Sequence, residues 1–439
     1  MLPTASVRDF ASDPYAAYPA GSRYSADVQP GGLLDFEAAR QWLSRIDQCR
    51  DANAYTFGLP LDAAASVRSG FAGAELLLFS TYGYLGLNQH PRIVAAATEA
   101  AQRWGTTTGG CRLMTGTLEL HLETERELAG FLGTEALALY SSGYDANVAV
   151  ISSLLGRHDV AVIDEKAHRS ILDGCRLSGA RTVRFRHNDI EHLDAVVARH
   201  RATGARVLVA VDGVYSMDGD IAPLAAIVEV KQRHGAFLLL DESHAIGVLG
   251  ADGRGTASHT DVPPGAVDVI TGSLGKAFPS GGGFAAGSRG LVNYLQHGSA
   301  PYMFSSALTP ANTAAVRETV HVLLDEPHHI ESMWKNTARL TNLVRDLGLT
   351  TGPTETPIVP VVLGDTLRTY QWARHLLDDG IYVSAVPAPA VPEGQSRLRL
   401  CATARQSSAD LERLGRALRR VLDLEATATG RENGDAPLP

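Results

Sequence analysis

A lysine in an unusual setting is the first residue of this sequence that could do chemistry. Lysine occurs only four times in the 439 residues, and three of the four have ordinary explanations as helix or turn residues. Lys276 instead follows the apolar run 267–270 and precedes the glycines 281–283, where backbone can approach a ligand closely. A pocket lysine loses hydration, which lowers its pKa and supplies the neutral amine that forms a Schiff base. A strand-end lysine that reaches solvent is the alternative.

Asp241 and His244 form a second candidate group. Asp241 ends the apolar run 237–240, so it is either an exposed strand-end carboxylate or a buried acid with a cationic partner, and His244 follows within reach of the same ligand. Taken with Lys276, these residues indicate pyridoxal phosphate, because an aspartate that keeps the pyridine nitrogen protonated makes the ring an electron sink.

Three further motifs could bind a phosphate, a ring or a substrate carboxylate. Ser142-Gly143-Tyr144 stand between a predicted strand and a predicted helix, where backbone N–H groups hold phosphates, and Ser273 could add a hydroxyl. An ordinary capped helix explains the same residues. His168 follows another predicted strand and could stack on a ring or move protons, with a structural histidine as the alternative.

Arg397 and Arg399 alternate on a predicted strand, so they share one face. A guanidinium group there could hold a substrate carboxylate bidentately. Two solvated arginines on an edge strand are the alternative.

These residues require elements that bring them together. Short β-branched runs alternate with helical stretches, which predicts an α/β fold with a largely parallel sheet covered by helices on both faces. The predicted strands of this sheet are 136–140, 160–163, 207–211, 237–240, 267–270 and 283–286. Because ligands bind beyond the carboxyl ends of such strands, five strand ends with polar motifs should converge on one site.

The pattern changes after about residue 310 to long amphipathic helices followed by three edge-type strands over 358–362, 382–385 and 397–400. We therefore predict a second, smaller α+β domain. The predicted organisation is an N-terminal arm and helix over 1–50, a large domain over 51–310 with 51–100 partly shared, a C-terminal domain over 311–425, and a disordered tail over 426–439.

Composition excludes several classes of function. A net charge of −9 argues against nucleic acid as a partner, and no apolar run is long enough for a membrane span. The four cysteines show no spacing suited to a metal, so no metal site is expected, and the start of the chain lacks the pattern of a secretory signal. A reducing cytoplasm is the predicted location. The cysteines are Cys49, Cys111, Cys175 and Cys401.

The order and spacing of these motifs resemble the α-oxoamine synthases of the fold type I pyridoxal-phosphate enzymes, over roughly residues 50–420. The stretches that carry the resemblance are 84–87, 109–113, 142–147, 185–189, 216–220, 241–244, 250–255 and 272–276. The implied fold is a large domain with a mostly parallel seven-stranded sheet and a smaller α+β domain.

The resemblance also implies a role for each candidate residue. Lys276 would carry the cofactor as a Schiff base, Asp241 would pair with the pyridinium nitrogen, His168 would stack on the ring and His244 would lie near the ring hydroxyl. Arg399 would bind the substrate carboxylate. The remaining implied cofactor contacts are Ser142, Gly143, Tyr144, Ser216 and Ser273, with Ser305 and Ser306 from the neighbouring subunit of a homodimer that shares its active sites.

The implied reaction is a decarboxylative, Claisen-like condensation of an α-amino acid with an acyl thioester, on coenzyme A or a carrier protein, to give an α-amino ketone. Tyr82 and Cys111 depart from the family pattern at substrate positions, and they favour a small amino acid and a specialised biosynthetic pathway. The alternatives are an aminotransferase, amino-ketone cleavage with free coenzyme A, and a non-catalytic partner subunit. Retention of Lys276, His168 and Asp241 argues against the last.

Overall fold

A computed structural model describes residues 23–63, 67–71 and 73–432 of the chain. The first part of the predicted arm, 1–22, and the end of the predicted tail, 433–439, lie outside the described residues. The strands are β1 Arg68–Phe71, β2 Ala74–Leu78, β3 Ala136–Tyr140, β4 Val160–Asp164, β5 Arg181–Phe185, β6 Val207–Asp212, β7 Phe237–Asp241, β8 Val269–Ser273, β9 Gly283–Gly287, β10 Ile358–Gly364, β11 Ile381–Tyr382, β12 Ser384–Val386 and β13 Ser396–Cys401.

Short 3-10 helices cover Tyr24–Asp27 and Pro264–Ala266. The α-helices are α1 Glu37–Asp51, α2 Pro91–Trp104, α3 Glu119–Leu132, α4 Gly143–Leu154, α5 Arg169–Ser178, α6 Ile190–Arg201, α7 Leu224–His234, α8 Thr256–His259, α9 Arg289–Gly298, α10 Ala300–Met303, α11 Pro310–Asp325, α12 His328–Asp346, α13 Thr366–Asp378 and α14 Ser408–Glu432. Among the described helices, none combines the length and apolar character that crossing a bilayer requires.

The chain folds into two compact units. The central unit comprises 82–335 and 353–357, and the terminal unit comprises the described residues before 82, 336–352 and those from 358 onward. The sequence had instead placed the boundary near 51 and 310. Residues before 82 belong with the C-terminal part because β2 pairs in parallel with β11. Helix α11 belongs to the central unit because it packs on α2 and α3.

A seven-stranded sheet with the order β3-β9-β8-β7-β6-β4-β5 forms the middle of the central unit. Strands β4 to β8 run parallel, and β9 pairs antiparallel with both β3 and β8. The inner strands β4, β6 and β7 are nearly continuous apolar runs, as strands buried on both faces must be. The predicted mostly parallel α/β sheet is confirmed.

Two strands of this sheet differ from the sequence prediction. Strand β8 begins at Val269 rather than at 267, because a 3-10 helix ends at Ala266 and Asp268 accepts the backbone N–H of Leu238. Strand β5 was not predicted. Its sequence, RTVRF, is partly exposed at the edge of the sheet and lacks the apolar run that identifies the inner strands.

The terminal unit contains two three-stranded sheets, β1-β2-β11 and β10-β13-β12. Its core packs the side chains of α13 and α14 against β10 and β13, with Trp372, Leu398, Leu400 and Leu414 buried at its centre. Strand β13 lies in the middle of its sheet, so its prediction as an edge-type strand was wrong. Helix α14 continues to Glu432, past residue 425 where the sequence had placed the end of the domain.

Candidate active site

The carboxyl ends of the parallel strands carry polar residues in the central unit, as the strand pattern predicts. Asp212 ends β6 and Asp241 ends β7, and the two residues are paired in the sheet register. Asp241 is in turn paired with Thr271 near the end of β8. His168 follows β4 by a short turn. The parallel register therefore aligns the acidic ends of neighbouring strands at one edge of the sheet.

Asp241 is a buried acid rather than an exposed strand-end carboxylate. It is only 3% exposed. Its Oδ2 accepts a hydrogen bond from Nδ2 of Asn147 at 2.6 Å, and its Oδ1 accepts the backbone N–H of Ser243 at 2.8 Å. Asn147 is held by Thr271, whose hydroxyl donates to Asn147 Oδ1 at 2.6 Å. These donors fix the position of the carboxylate.

Asp212 is the second buried acid, and the sequence indicated no role for it. Its Oδ2 accepts the backbone N–H of His168 at 2.9 Å. Burial raises the pKa of Asp212 well above its ordinary value, and the charge of Asp241 raises it further. Each of two neighbouring buried carboxyl groups disfavours the charge of the other, in addition to the effect of burial.

His168 is an exposed residue, and one nitrogen of its ring is fixed by a hydrogen bond. Its Nδ1 lies 2.7 Å from the hydroxyl of Ser170, which also accepts from Asn147 at 2.9 Å. Removal of water by the surrounding protein lowers the pKa of His168; the charge of Asp241 opposes this shift and that of Lys276 adds to it. A neutral imidazole with an open side suits stacking on a ring.

His244 contacts two tyrosines, Tyr84 and Tyr82, the second of which the sequence assigned to the substrate. Its Nδ1 lies 2.8 Å from the hydroxyl of Tyr84. The ring of Tyr82 stands edge-on to the imidazole with the centroids 6.2 Å apart, and 45% of Tyr82 is exposed. The histidine is therefore oriented by one tyrosine and covered by a second, which offers an aromatic surface to a ligand.

The start of α4 is built to approach the end of β8. Ser142 is the N-cap of this helix, and its Oγ accepts the backbone N–H of Asp145 at 3.0 Å. A Cβ on Gly143 would lie 2.7 Å from Cβ of Ser273, so only glycine fits here. The first N–H groups of a helix have no partner within it and favour an anion. Tyr144 contributes through this backbone position, because its hydroxyl donates to Asp173.

Lys276 lies half-buried in the loop between β8 and β9. Leu274 donates its backbone N–H to the carbonyl of Gly282 at 2.9 Å, which closes the loop. Gly282 has a φ of 112°, a conformation that favours glycine. The charge of Lys276 lowers the pKa values of both His168 and Asp212, so its ammonium group acts on the same site as the buried acids.

A second buried network lies beside these residues. His187 bridges two carboxylates, with Nδ1 3.0 Å from Asp164 at the end of β4 and Nε2 2.6 Å from Asp220. Burial lowers its pKa, but the two carboxylates outweigh burial and raise it to about 9. Ser216 lies half-buried in the loop 213–220, which is closed by a hydrogen bond between the backbones of Tyr215 and Asp220. The network fixes that loop.

The four remaining candidate residues lie on other elements. Cys111 is half-buried in the turn 110–116, and Ser305 and Ser306 follow α10 on a segment whose neighbour Phe304 is 82% exposed. Arg399 belongs to the terminal unit, is 1% exposed and donates from Nη1 to Sγ of Cys401 at 3.1 Å. The alternative of solvated arginines on β13 was therefore wrong.

These residues fit pyridoxal phosphate. The half-buried Lys276 can attach the cofactor, and the buried Asp241, held by two donors, can pair with its ring nitrogen. The exposed His168 can cover the face of the ring. The start of α4, where only glycine fits, can hold the phosphate.

Comparisons with known proteins give the same result. The model of the aminotransferase class I and II family matches residues 74–418. A serine palmitoyltransferase of Sphingobacterium spiritivorum is 36% identical over 81% of this chain and 88% of that protein, and an 8-amino-7-oxononanoate synthase of Bacillus velezensis is 41% identical over 78% and 87%.

Solved structures extend the likeness to the fold. The serine palmitoyltransferase of Sphingomonas wittichii has a TM-score of 0.85 and 32% identity over 92% of this chain and all of that one. The enzyme of S. paucimobilis with a bound PLP-myriocin aldimine has a TM-score of 0.85 and 31% identity over 89% and 99%. The predicted cofactor and enzyme class are confirmed. The chain belongs to the aminotransferase class I and II family, and within it to the α-oxoamine synthases, which are enzymes that use pyridoxal 5′-phosphate.

Proposed function

We propose that this chain condenses a small α-amino acid with an acyl thioester, carried by coenzyme A or an acyl-carrier protein, and releases an α-amino ketone with loss of carbon dioxide. The observation that carries the proposal is the buried Asp241, whose carboxylate is fixed by Asn147 and Ser243 in the same unit as Lys276. The synthases among its relatives perform condensations of this class, and a product of this kind belongs to a biosynthetic pathway.

The bound cofactor supplies an electron sink that stabilises negative charge at the amino-acid Cα. Asp241 would pair with the ring nitrogen of the cofactor, since its two oxygens are fixed by hydrogen bonds from Asn147 and Ser243. Lys276 would hold the cofactor through Nζ, and once the amino group of the substrate takes that place, the freed amine would accept the Cα proton. Burial raises the pKa of Asp212 well above its ordinary value, which disfavours a second negative charge beside Asp241.

His168 and His244 would position the cofactor ring on which Lys276 acts. His168 covers the ring with a neutral imidazole, which Ser170 holds at Nδ1. His244 approaches the ring hydroxyl with its orientation set by Tyr84. The backbone at the start of α4, with Ser142, Gly143, Tyr144 and the hydroxyl of Ser273, holds the phosphate; Ser216 contacts the ring from the loop after β6.

Substrate selection is assigned to Arg399, Tyr82 and Cys111. Arg399 binds the substrate carboxylate, since a buried guanidinium presents several donors in one plane. Cys111 faces the amino-acid side chain from a turn with little freedom, because a Cβ on Gly116 would lie 2.3 Å from the carbonyl oxygen of Gly110. A rigid turn beside the side chain favours glycine, alanine or serine over bulky amino acids.

The active unit in this proposal is a homodimer with shared active sites. Ser305 and Ser306 reach the phosphate of the neighbouring subunit, and the exposed apolar side chains of Phe304, Leu113 and Met114 supply a surface that a second copy would cover. The four cysteines are free thiols, which supports the cytoplasm as the location.

Visible absorption spectroscopy tests the proposal. The purified protein should show a bound-cofactor band that Lys276→Ala shifts to that of non-covalently bound cofactor. Glycine, alanine and serine are then added in turn with an acyl thioester, and one of them should yield carbon dioxide and an amino ketone. Pyridoxamine phosphate formed with stoichiometric keto acid would establish an aminotransferase instead. Absence of cofactor binding after reconstitution would refute the catalytic assignment.

A further inference from the structure

Two histidines meet on one glutamate oxygen in the central unit, on elements that the proposed reaction does not use. His90 is the N-cap residue of α2, Glu326 is the C-cap residue of α11, and His329 lies in the first turn of α12. The Nε2 atoms of His90 and His329 each lie 3.2 Å from Oε2 of Glu326. All three atoms lie within 4.8 Å of one another.

These separations also suit the ligands of one metal ion. Histidine–carboxylate distances elsewhere in the described residues extend from 2.6 Å at His187 to 3.3 Å at His321, so what distinguishes this cluster is that two histidines meet on one carboxylate oxygen. Ligand atoms about 2.0 to 2.1 Å from a tetrahedral zinc ion lie about 3.3 Å apart. The two equal distances from Glu326 to the histidines match that tetrahedral edge.

An outer shell orients the glutamate. Nη1 of Arg92 lies 3.4 Å from Oε1 of Glu326, so the guanidinium holds one oxygen while the other faces the histidines. Arg92 also pairs with Glu318 at 2.7 Å and with Asp325 at 2.9 Å. Three carboxylates around one guanidinium leave an excess of negative charge, which favours a cation between the imidazoles.

The cluster is closed on the histidine side and open on the other. The side chains of His90 and His329 are 11% and 9% exposed, whereas that of Glu326 is 26% exposed. The ring of the exposed His328 lies 4.2 Å from that of His329. An ion could therefore enter from solvent and keep one position for water.

We propose that His90, Glu326 and His329 bind one divalent transition-metal ion per chain, of the zinc class, with water as the fourth ligand. Two imidazole nitrogens and one carboxylate oxygen are donors that zinc prefers, and they do not suit magnesium or calcium. The ion ties the start of α2 to the connection between α11 and α12. Since only the folded chain brings the three residues together, binding stabilises the fold.

Sequence spacing could not reveal this site, because His90 and Glu326 are 236 residues apart. The expectation of no metal rested on the cysteines, and none of them takes part. The proposed catalytic residues are also absent from the cluster, so the metal proposal and the proposed reaction can fail independently.

The test uses the metal-free, full-length enzyme with its cofactor bound. Zinc alone is titrated against a chromophoric chelator, and bound zinc is counted by elemental analysis after dialysis. We expect saturation at one zinc per chain and a melting temperature that rises with zinc. Glu326→Gln and His329→Gln should weaken binding by more than the roughly 10- to 100-fold cost of losing an outer-shell partner, and should abolish the zinc-dependent rise.

His321→Gln is the matched control. His321 lies on α11 and contacts two carboxylates, Glu127 on α3 and Glu318 on α11. Among the described residues, no second histidine shares these carboxylates. This variant should bind zinc as the wild type does. Glu326→Gln retains an acceptor for the histidines, so it tests the metal even if His329→Gln fails to fold. Absence of saturable binding by the wild type, or equal binding by all three variants, would overturn the proposal.

Discussion

The amide of Asn147 should set how strongly the site binds its cofactor. Asn147→Leu keeps the side-chain volume but removes hydrogen bonds to Asp241, Ser170 and Thr271 at 2.6, 2.9 and 2.6 Å. A bond to a charged group is worth about 1.5 to 3 kcal/mol and a neutral one about 0.5 to 1.5 kcal/mol. We therefore expect the free energy of unfolding to fall by about 2.5 to 6 kcal/mol.

Only the bond to Asp241 should affect the cofactor. Without this donor the carboxylate of Asp241 is held less firmly, so its pairing with the ring nitrogen weakens by about 1.5 to 3 kcal/mol. That corresponds to a dissociation constant for pyridoxal phosphate about 10- to 150-fold higher. Absorbance titration of the apoenzyme measures this constant, and urea unfolding measures stability.

Thr271→Val is the matched control, because it removes a neutral bond to Asn147 without touching Asp241. It should lower stability by about 0.5 to 1.5 kcal/mol and leave cofactor affinity unchanged. The reasoning is refuted if Asn147→Leu binds the cofactor as tightly as the wild type. Equal loss of affinity in Thr271→Val would also refute it, since a general loosening of the core would then explain both variants.

Three further predictions concern the same unit. Gly143→Ala should reduce cofactor affinity at least tenfold in the same titration, because its Cβ would lie 2.7 Å from that of Ser273; wild-type affinity would contradict this. Asp212→Asn should lose less cofactor affinity than Asp241→Asn, because burial raises the pKa of Asp212 well above its ordinary value and so disfavours its charged form; equal losses would contradict it. His187 has a pKa of about 9 in the folded protein, above its unfolded value, so its stabilisation is complete below about pH 6.5 and is lost as pH rises through 9, amounting to about 3 kcal/mol. Urea unfolding at pH 6.5 and 9.5 should show this loss in the wild type and not in His187→Gln; parallel profiles would contradict it.

Much of the sheet could be predicted from the sequence because inner strands buried on both faces must be apolar. The runs that became the inner strands β4, β6, β7 and β9 carry that signal directly, and the edge strand β3 is also apolar because its residues are mostly buried. Strand β5 does not, because an edge strand tolerates the arginines of RTVRF. The convergence of strand ends was predicted from parallel topology alone, and the register of β6 with β7 places two of these ends, Asp212 and Asp241, side by side.

The partners of the site residues could not be predicted. Asp241 and Asn147 are 94 residues apart, and no local pattern pairs an asparagine within a helix with a strand-end acid. The pKa of Asp212 is raised by burial and then by the charge of Asp241, and both become known only with the strand order. Burial of Arg399 was also hidden, because alternating arginines look the same on a central strand as on an edge.

The pairing of β2 with β11 has a consequence for synthesis of the chain. Leu77 lies opposite Ile381 in the register, so the β1–β2 hairpin has no sheet partner until about 300 further residues have been made. At about 5 to 20 residues per second, the wait is about 15 to 60 s. The central unit is translated almost completely in that interval, while an apolar strand edge stays open on the ribosome. Slow ribosomal passage through 82–335 should therefore increase aggregation of the nascent chain, with the exposed hairpin as the segment that chaperones must cover.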